Sequence, residues 1–314
     1  MIYTPNLIPD GHFGKMDDKT VILFKGGHSP IEIPLKIDVG ENVHYMGCYF
    51  ADGTKKGHAW KINASTPEQA MYYNKIYDKL LPSEDFKFKV TYSKTPSDVR
   101  TADEITRDIK KYWEEKTDNS FSVGKVYIVD AKVDAALNRN KYGSLEIKND
   151  KGLVMQFHQK MLDQTMEIIS NSNDRKLLWD FVHGILEGDG YVAGGAERLG
   201  LGISCNIDNY EFIQDILDKL GIQFRTDTFD SDSGRSNGVQ IQFGLFEILK
   251  NFKDIKDDVF QYYPKRADRL FDRMQDQSTV QHMLGKRSQS SFTRARANEL
   301  KSNEITNFFK NRQL

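Results

Sequence analysis

Cysteine is nearly missing from this chain. Cys48 and Cys205 are the two in 314 residues, and neither sits in a C-x-x-C or a Cys/His cluster, which excludes a disulfide scaffold and a zinc centre. No apolar run approaches the roughly 18 residues of a membrane span. Residues Met1–Asp10 lack the basic and apolar regions of a signal peptide. The expectation is a cytoplasmic protein with no membrane partner. No G-x-x-x-x-G-K-[ST] phosphate loop occurs. An excess of charge is also absent, since 44 Lys+Arg face 45 Asp+Glu for a net charge of −1. The total hides an asymmetry: from Lys265 to Leu314 eleven basic residues face five acidic ones, a surplus of six that leaves the remainder seven negative. A length of 314 residues suits two units of roughly 100–200 residues, each with its own core.

What is present alternates between strand and helix signals. Val21–Phe24 and Ile31–Ile37 predict two strands around Gly26–Pro30. Asn42–Ala51 is apolar and closes on Asp52-Gly53; His58, Trp60, Ile62 and Ala64 then share one strand face. Thr66-Pro67-Glu68 starts a helix running to about Leu81, with Thr66 or Ser65 as cap. Phe86–Ser93 alternates strictly, as in a sheet covered on one side. Residues 96–140 read as an insertion holding a helix at Asp103–Lys116 and a strand at Lys125–Val129. A strand at Tyr142–Lys148 and a helix over Gly152–Ile169 complete the first half. The order then begins again: a helix capped by Asp174 over Leu177–Gly188, strands at Tyr191–Ala193 and Arg198–Cys205, a helix at Asp208–Leu220, strands near Ile222–Phe229 and Gly238–Phe243, and helices over Leu245–Met274.

Spacing supports a repeat. Asp52 precedes Asp189 by 137 residues, and Ile76–Leu80 (IYDKL) precedes Ile216–Leu220 (ILDKL) by 140. The helices that head the two halves end in Tyr45–Gly53 (YMGCYFADG) and Val182–Gly190 (VHGILEGDG). Each has a glycine (Gly47, Gly184), a small residue four later (Ala51, Gly188), then Asp-Gly. Small residues four apart let two helices cross closely, which would bring Asp52 and Asp189 to one place. Each Asp-Gly also reads as a plain helix end with glycine at C′. Yet the helix dipole disfavours a carboxylate there, and meeting that cost twice asks for another reason. Paired carboxylates with hard oxygens suit Mg²⁺ and the chemistry of phosphodiester hydrolysis.

The motif pair resembles the LAGLIDADG homing-endonuclease family in its single-chain, two-repeat form, over residues 42–275. The resemblance implies an α+β fold of two pseudo-symmetric αββαββα repeats, with antiparallel strands forming a DNA-binding saddle. It implies that Asp52 and Asp189 bind Mg²⁺ or Mn²⁺, that Gly47 and Gly184 pack at the interface helices, and that a monomer cleaves double-stranded DNA at a specific site. Domain boundaries are expected at 1–41, 42–171, 172–276 and 277–314. Phe50 and Glu187 occupy the family's first acidic position, which is not the metal ligand. A basic residue near the scissile phosphate is implied, with Lys265 and Arg266 as its candidates and Lys148 or Lys160 as guesses in the first repeat.

If the apolar strand faces rest on helices, the opposite faces present Lys61, Asn63, Lys87, Lys89, Arg198, Gln223, Arg225, Gln240 and Gln242. Lys and Arg suit guanine and phosphate, and Gln and Asn suit adenine; an ordinary solvated face would look similar. His44, His183 and Cys48 read as packing residues. The alternative functions are a non-catalytic regulator or an intron-RNA maturase on the same scaffold, or an α+β protein with no nucleic-acid role. The two aspartates favour the enzyme, because a pure binder has no use for carboxylates beside phosphate. Ser290–Leu314 reads either as two short helices or as a disordered basic tail.

Overall fold

Apolar segments ahead of the first motif helix pair as short strands. β1 (Ile2–Tyr3) lies antiparallel to β5 (Lys36–Ile37), and β2 (Phe13–Met16), β3 (Thr20–Leu23) and β4 (Ile31–Pro34) form a three-stranded sheet. Val21, Leu23, Ile31 and Ile33 alternate into the core. The computed structural model describes residues 2–3, 13–24, 29–55, 57–131, 141–194, 199–229, 238–286, 291–300 and 303–312. The chain divides into two compact units, Met1–Glu167 and Ile168–Leu314.

In the first unit the motif helix α1 (Val39–Asp52) starts three residues before the apolar run because Asp38 caps it, accepting from the Gly40 N–H at 2.8 Å. β6 (Trp60–Ala64) and α2 (Pro67–Leu80) follow, with Thr66 capping α2 and Pro67 in its first turn. Next come β7 (Lys87–Lys94), α3 (Ala102–Lys116), β8 (Val123–Asp130), β9 (Ser144–Asn149) and α4 (Gly152–Asn171). The sheet order is β6-β9-β7-β8. Trp60 forms the centre of an aromatic core, stacked on Tyr49 and edge-on to Tyr77 at 4.8 Å, with His158 of α4 at 4.9 Å. All four side chains are buried.

The second unit opens with α5 (Arg175–Asp189), capped by Asp174 through the Lys176 and Leu177 amides. β10 (Gly190–Ala193), β11 (Gly200–Asn206), α6 (Ile207–Lys219), β12 (Arg225–Phe229) and β13 (Gly238–Gly244) follow, and the sheet order is β10-β11-β13-β12, antiparallel throughout. Leu201, Ile203, Ile241 and Phe243 form its buried face, against which α5, α6 and α7 (Leu245–Lys250) pack. α8 (Phe252–Ile255), α9 (Pro264–Gln275), α10 (Ser278–Met283), α11 (Ser291–Glu299) and α12 (Asn303–Asn311) complete the unit.

The molecule is thus α+β, with one helix–strands–helix–strands–helix pattern built twice. Two details differ from the sequence expectation, and a third decides between the two readings of the C-terminal segment. The first sheet is not wholly antiparallel: the insertion is a β-α-β crossover whose strand β8 pairs parallel to β7. The first unit shows no counterpart of β10 among its described residues. There the segment after Gly53 makes one bond, Thr54 N–H to Lys61 O at 2.9 Å, and turns at Gly57 with φ +116°. The C-terminal segment forms two packed helices, with Phe309 of α12 buried and both Phe308 and Phe309 against Phe252.

Candidate functional site

The C-terminal halves of the two motif helices are buried on every side. Residues 45–50 of α1 and 181–187 of α5 are buried without a break, whereas a surface helix exposes one face in every turn. Gly47 and Gly184 lie within these runs, and Asp52 and Asp189 follow them, half-buried, at the last helical positions. Cys48 is buried, and His183 is buried with its Nε2 in a 2.8 Å hydrogen bond to Asp254 O. His44 is half-buried, its Nδ1 3.1 Å from the Tyr72 hydroxyl.

Both helices end in one geometry. Gly53 has φ −79° and ψ 150° and donates to Tyr49 O; Gly190 has φ −78° and ψ 150° and donates to Leu186 O. Each glycine does end its helix, but with extended backbone rather than the left-handed conformation common at C′. The glycines are required by closeness instead. A Cβ at Gly53 would fall on Tyr49 O and the Tyr49 ring, and one at Gly190 would fall on Leu186 O and within 2.6 Å of Leu186 Cα.

Neither helix carries a basic residue in its last turn to offset the aspartate and the dipole. The compensation arrives from outside the helix in each unit. Lys55 Nζ donates to Phe50 O and lies 4.8 Å from the Phe50 ring centre. Its loop is held by the Tyr49 hydroxyl, which donates to Thr54 O at 2.5 Å. In the second unit Arg266 of α9 reaches Glu187 O at 3.3 Å and Gly188 O at 3.4 Å while stacking over Tyr263 at 4.1 Å. Phe50 and Glu187 are equivalent in the repeat, so Lys55 and Arg266 hold corresponding carbonyls. Glu187 also has its own task, since its buried Oε1 accepts the Tyr262 N–H at 2.9 Å and fixes the segment that delivers Arg266. Lys265 is exposed on α9. Lys55 escaped the sequence reading because the residue at its repeat position, Val192, carries no charge.

Burial first, and the Asp189 carboxylate second, push the Cys205 thiol up to about 11, so it is no nucleophile near neutral pH. Among the described residues no three His, Cys, Asp or Glu side chains form a ready-made cation cage. A carboxylate beside helix-end carbonyls nevertheless fits Mg²⁺, which commonly takes one or two carboxylates and completes its shell with water and substrate phosphate.

The polar strand faces can be read in rows. In the first sheet Lys61, Lys148 and Lys87 are cross-strand neighbours, as are Asn63, Glu146 and Lys89. Glu146 pairs with Lys61 at 3.2 Å. Lys148, then Lys87, holds Asp150 down at about 2. In the second sheet Tyr191, Gly202, Gln242 and Arg225 form one row, and Ser204, Gln240 and Asp227 the next. Arg225 Nη2 donates to Gln242 Oε1 at 2.6 Å, Gln242 Nε2 to the Tyr191 hydroxyl at 2.9 Å, and that hydroxyl to Gln240 Oε1 at 3.2 Å. Gly202 makes room for this chain, since a Cβ there would enter the Tyr191 ring. Gln223 is exposed but precedes β12 and so lies off the sheet, because the strand begins only at Arg225. Arg198 lies outside the described residues.

No family model and no curated protein matches the chain. Among solved structures it is similar to mesophilic variants of the homing endonuclease I-DmoI, at 10% identity and a TM-score of 0.32, over 71% of this chain and 96% of that one. It is similar to the LAGLIDADG homing endonuclease I-LtrWI bound to target DNA at 11% identity and 0.34, over 84% and 97%. It is also similar to the LAGLIDADG homing endonuclease I-GzeII in complex with its DNA target at 8% identity and 0.36, over 85% and 98%.

Proposed function

We propose that the chain is a site-specific double-stranded DNA endonuclease that hydrolyses phosphodiesters with divalent metal held by Asp52 and Asp189. One observation carries this reading: each repeat ends a helix, buried over its C-terminal half, in the same extended Asp-Gly, with a basic side chain on carbonyls of its last turn. A helix terminus built only for stability needs no carboxylate there, since Lys or Arg in the last turn is the favourable choice. A bound Mg²⁺ would supply an activated water and stabilise the leaving oxygen. Lys55 and Arg266 would position water or offset charge developing on the phosphate. The lysine-rich first sheet face and the Gln/Tyr/Arg face of the second match phosphate and base edges.

The test is incubation with randomised duplex DNA and Mg²⁺, scored for both binding and cutting. Asp52→Asn and Asp189→Asn are each expected to abolish cleavage while leaving affinity equal or higher, because a metal ligand is lost but a carboxylate beside phosphate is removed. Selective binding without cutting by the unaltered chain would identify a regulator instead. Cutting that survives both substitutions would assign the chemistry elsewhere.

A further inference from the structure

The insertion at residues 96–140 has no part in the motif chemistry, yet it is built into the first sheet. Arg100 ties its start, donating to Asp98 at 2.8 Å and Asp108 at 3.2 Å, while the Tyr92 hydroxyl donates to Asp98 at 2.5 Å. Thr101 and Glu104 form a reciprocal capping box at the head of α3. The helix buries Ile105, Ile109 and Trp113, and Trp113 Nε1 donates to Tyr142 O at 3.0 Å. At the far end Glu114 Oε1 accepts the Val123 N–H at 2.9 Å. The strand β8 is therefore held in register, and that register sets which side chains share a face.

Along β8 half-buried and exposed side chains alternate from Lys125 to Val129. Val126 and Ile128 align with Val90 and Tyr92 on the covered face, and Lys125, Tyr127 and Val129 align with Lys89, Thr91 and Ser93 on the polar one. The row Asn63, Glu146, Lys89 thus continues into Lys125, whose Nζ lies 4.4 Å from the Tyr127 ring centre. Tyr127 and Val129 are 41% and 53% exposed and lie two residues apart on the face that carries the lysines.

We infer that β8 extends the DNA-contacting face of the first sheet, with Lys125 on a phosphate and Tyr127 against the sugar or base edge beside it. The inference rests on the proposed duplex-binding reading and assigns the insertion a role within it. Charge supports the occupant: Lys61, Lys87, Lys89, Lys125 and Lys148 share this face with Glu146, and Asp150 just beyond β9 pairs with Lys87 and Lys148, leaving five cations against two carboxylates toward a polyanion. One more strand widens a sheet by about 4.8 Å, against about 3.4 Å of rise per base pair. The face would then reach one or two base pairs further than it does without β8. Edge strands also carry lysine to discourage pairing with another copy, and that role makes a different prediction.

Lys125→Ala and Tyr127→Ala are placed on exposed positions, with Lys89→Ala as the reference on β7. Each is measured in the full chain on a duplex selected by the unaltered protein, by footprinting and by affinity across a salt series. Lys125→Ala is expected to weaken binding several-fold and to lower the salt slope by about one. Tyr127→Ala should shorten the footprint by one or two base pairs at one end and relax base preference there. If Lys89→Ala weakens binding while both β8 variants leave affinity, slope and footprint untouched, duplex binding by the sheet stands and the inference about β8 falls. Self-association of Lys125→Ala without loss of affinity would make the lysine an edge guard and overturn it as well. Failure of the unaltered chain to select any duplex would overturn the functional reading itself.

Discussion

The two sheets share one plan and solve it with different side chains. The first carries lysines on its polar face, with Glu146 paired to Lys61 and Asp150 bridging Lys87 and Lys148. The second carries an amide–phenol–guanidinium chain, Gln240, Tyr191, Gln242 and Arg225, already bonded side to side. Lysine is a flexible point charge that suits phosphate, whereas amides and guanidinium in fixed planes suit base edges. Burial raises the Tyr191 phenol above its ordinary value. The edges differ too, since the first sheet gains β8 where the second has its hairpin strand β10 at the opposite edge. Repetition thus preserves the helix ends while leaving the surfaces free to diverge.

The strongest test of that preserved part is the pair of basic residues. Lys55→Ala and Arg266→Ala should each lower single-turnover cleavage by about 10²–10³-fold, the usual loss for one charge-stabilising donor, with much smaller effects on duplex affinity. Lys55→Arg should recover part of the rate. A loss confined to one variant would show that the two helix ends are alike in shape but not in chemistry.

Next in size is the glycine pair. Gly190→Ala meets only backbone atoms of Leu186, while Gly53→Ala meets the Tyr49 ring as well as its carbonyl. Neither residue has positive φ, so the penalty is overpacking, about 1–3 kcal/mol. Urea unfolding should place Gly190→Ala at the upper end, because a ring can shift and a backbone cannot. Equal or negligible losses would break the claim of close approach.

This pair also marks where the sequence was readable. The Asp-Gly spacing, the α2 start at Thr66-Pro67 and the outward faces of β6 and β7 all follow from local pattern, and the structure has them in place. The extended conformation at Gly53 and Gly190 does not follow, since glycine permits both answers. Lys55 depends on a loop pinned by one tyrosine hydroxyl, and the parallel pairing of β8 depends on a contact made across α3. Alternation at Lys125, Tyr127 and Val129 was visible in the sequence, but the identity of the partner strand was not. Gln223 was misplaced because its apolar neighbours Ile222 and Phe224 imitate a strand before β12 begins.

A smaller contrast concerns acid. Burial holds His158 in the first unit down to about 4, against 6.5 ordinarily. The unfolded chain therefore takes up a proton below about pH 6.5 that the folded chain refuses until about pH 4. Stability is complete above that window and falls as pH drops through it, by about 1.4 kcal/mol per pH unit. Burial also lowers His183 in the second unit, but its bond to Asp254 O and the carboxylates of Asp258, Asp180 and Asp254 oppose the shift. Hydrogen exchange between pH 7 and 5 should show the first unit losing about 2 kcal/mol of protection, more than the second unit loses, and His158→Phe should flatten that slope. Equal slopes in both units would remove the distinction.

The smallest expected effect lies in the C-terminal helices. They are folded rather than loose, since Phe308 packs on Phe252 and Phe271 and Arg312 pairs with Asp268 and Asp272 at 3.1 Å. Deleting them would uncover Phe252 and Phe271, so point changes separate charge from packing better. Arg296 is held over the Phe246 and Phe292 rings at 4.9 and 4.6 Å, whereas Arg294 is an exposed cation on the same helix. An exposed cation near a polyanion adds affinity without reading sequence. Arg294→Gln should weaken binding to every duplex alike by about two- to threefold at moderate salt, and more at low salt, while leaving the selected sequence and the metal requirement as they were. Arg296→Gln should do the same and also loosen α11, detectable as faster amide exchange there, because it loses its stacking on two rings. A change in the preferred site on substituting Arg294 would show that this helix reads bases, and the division between gripping and reading would then extend beyond the two sheets.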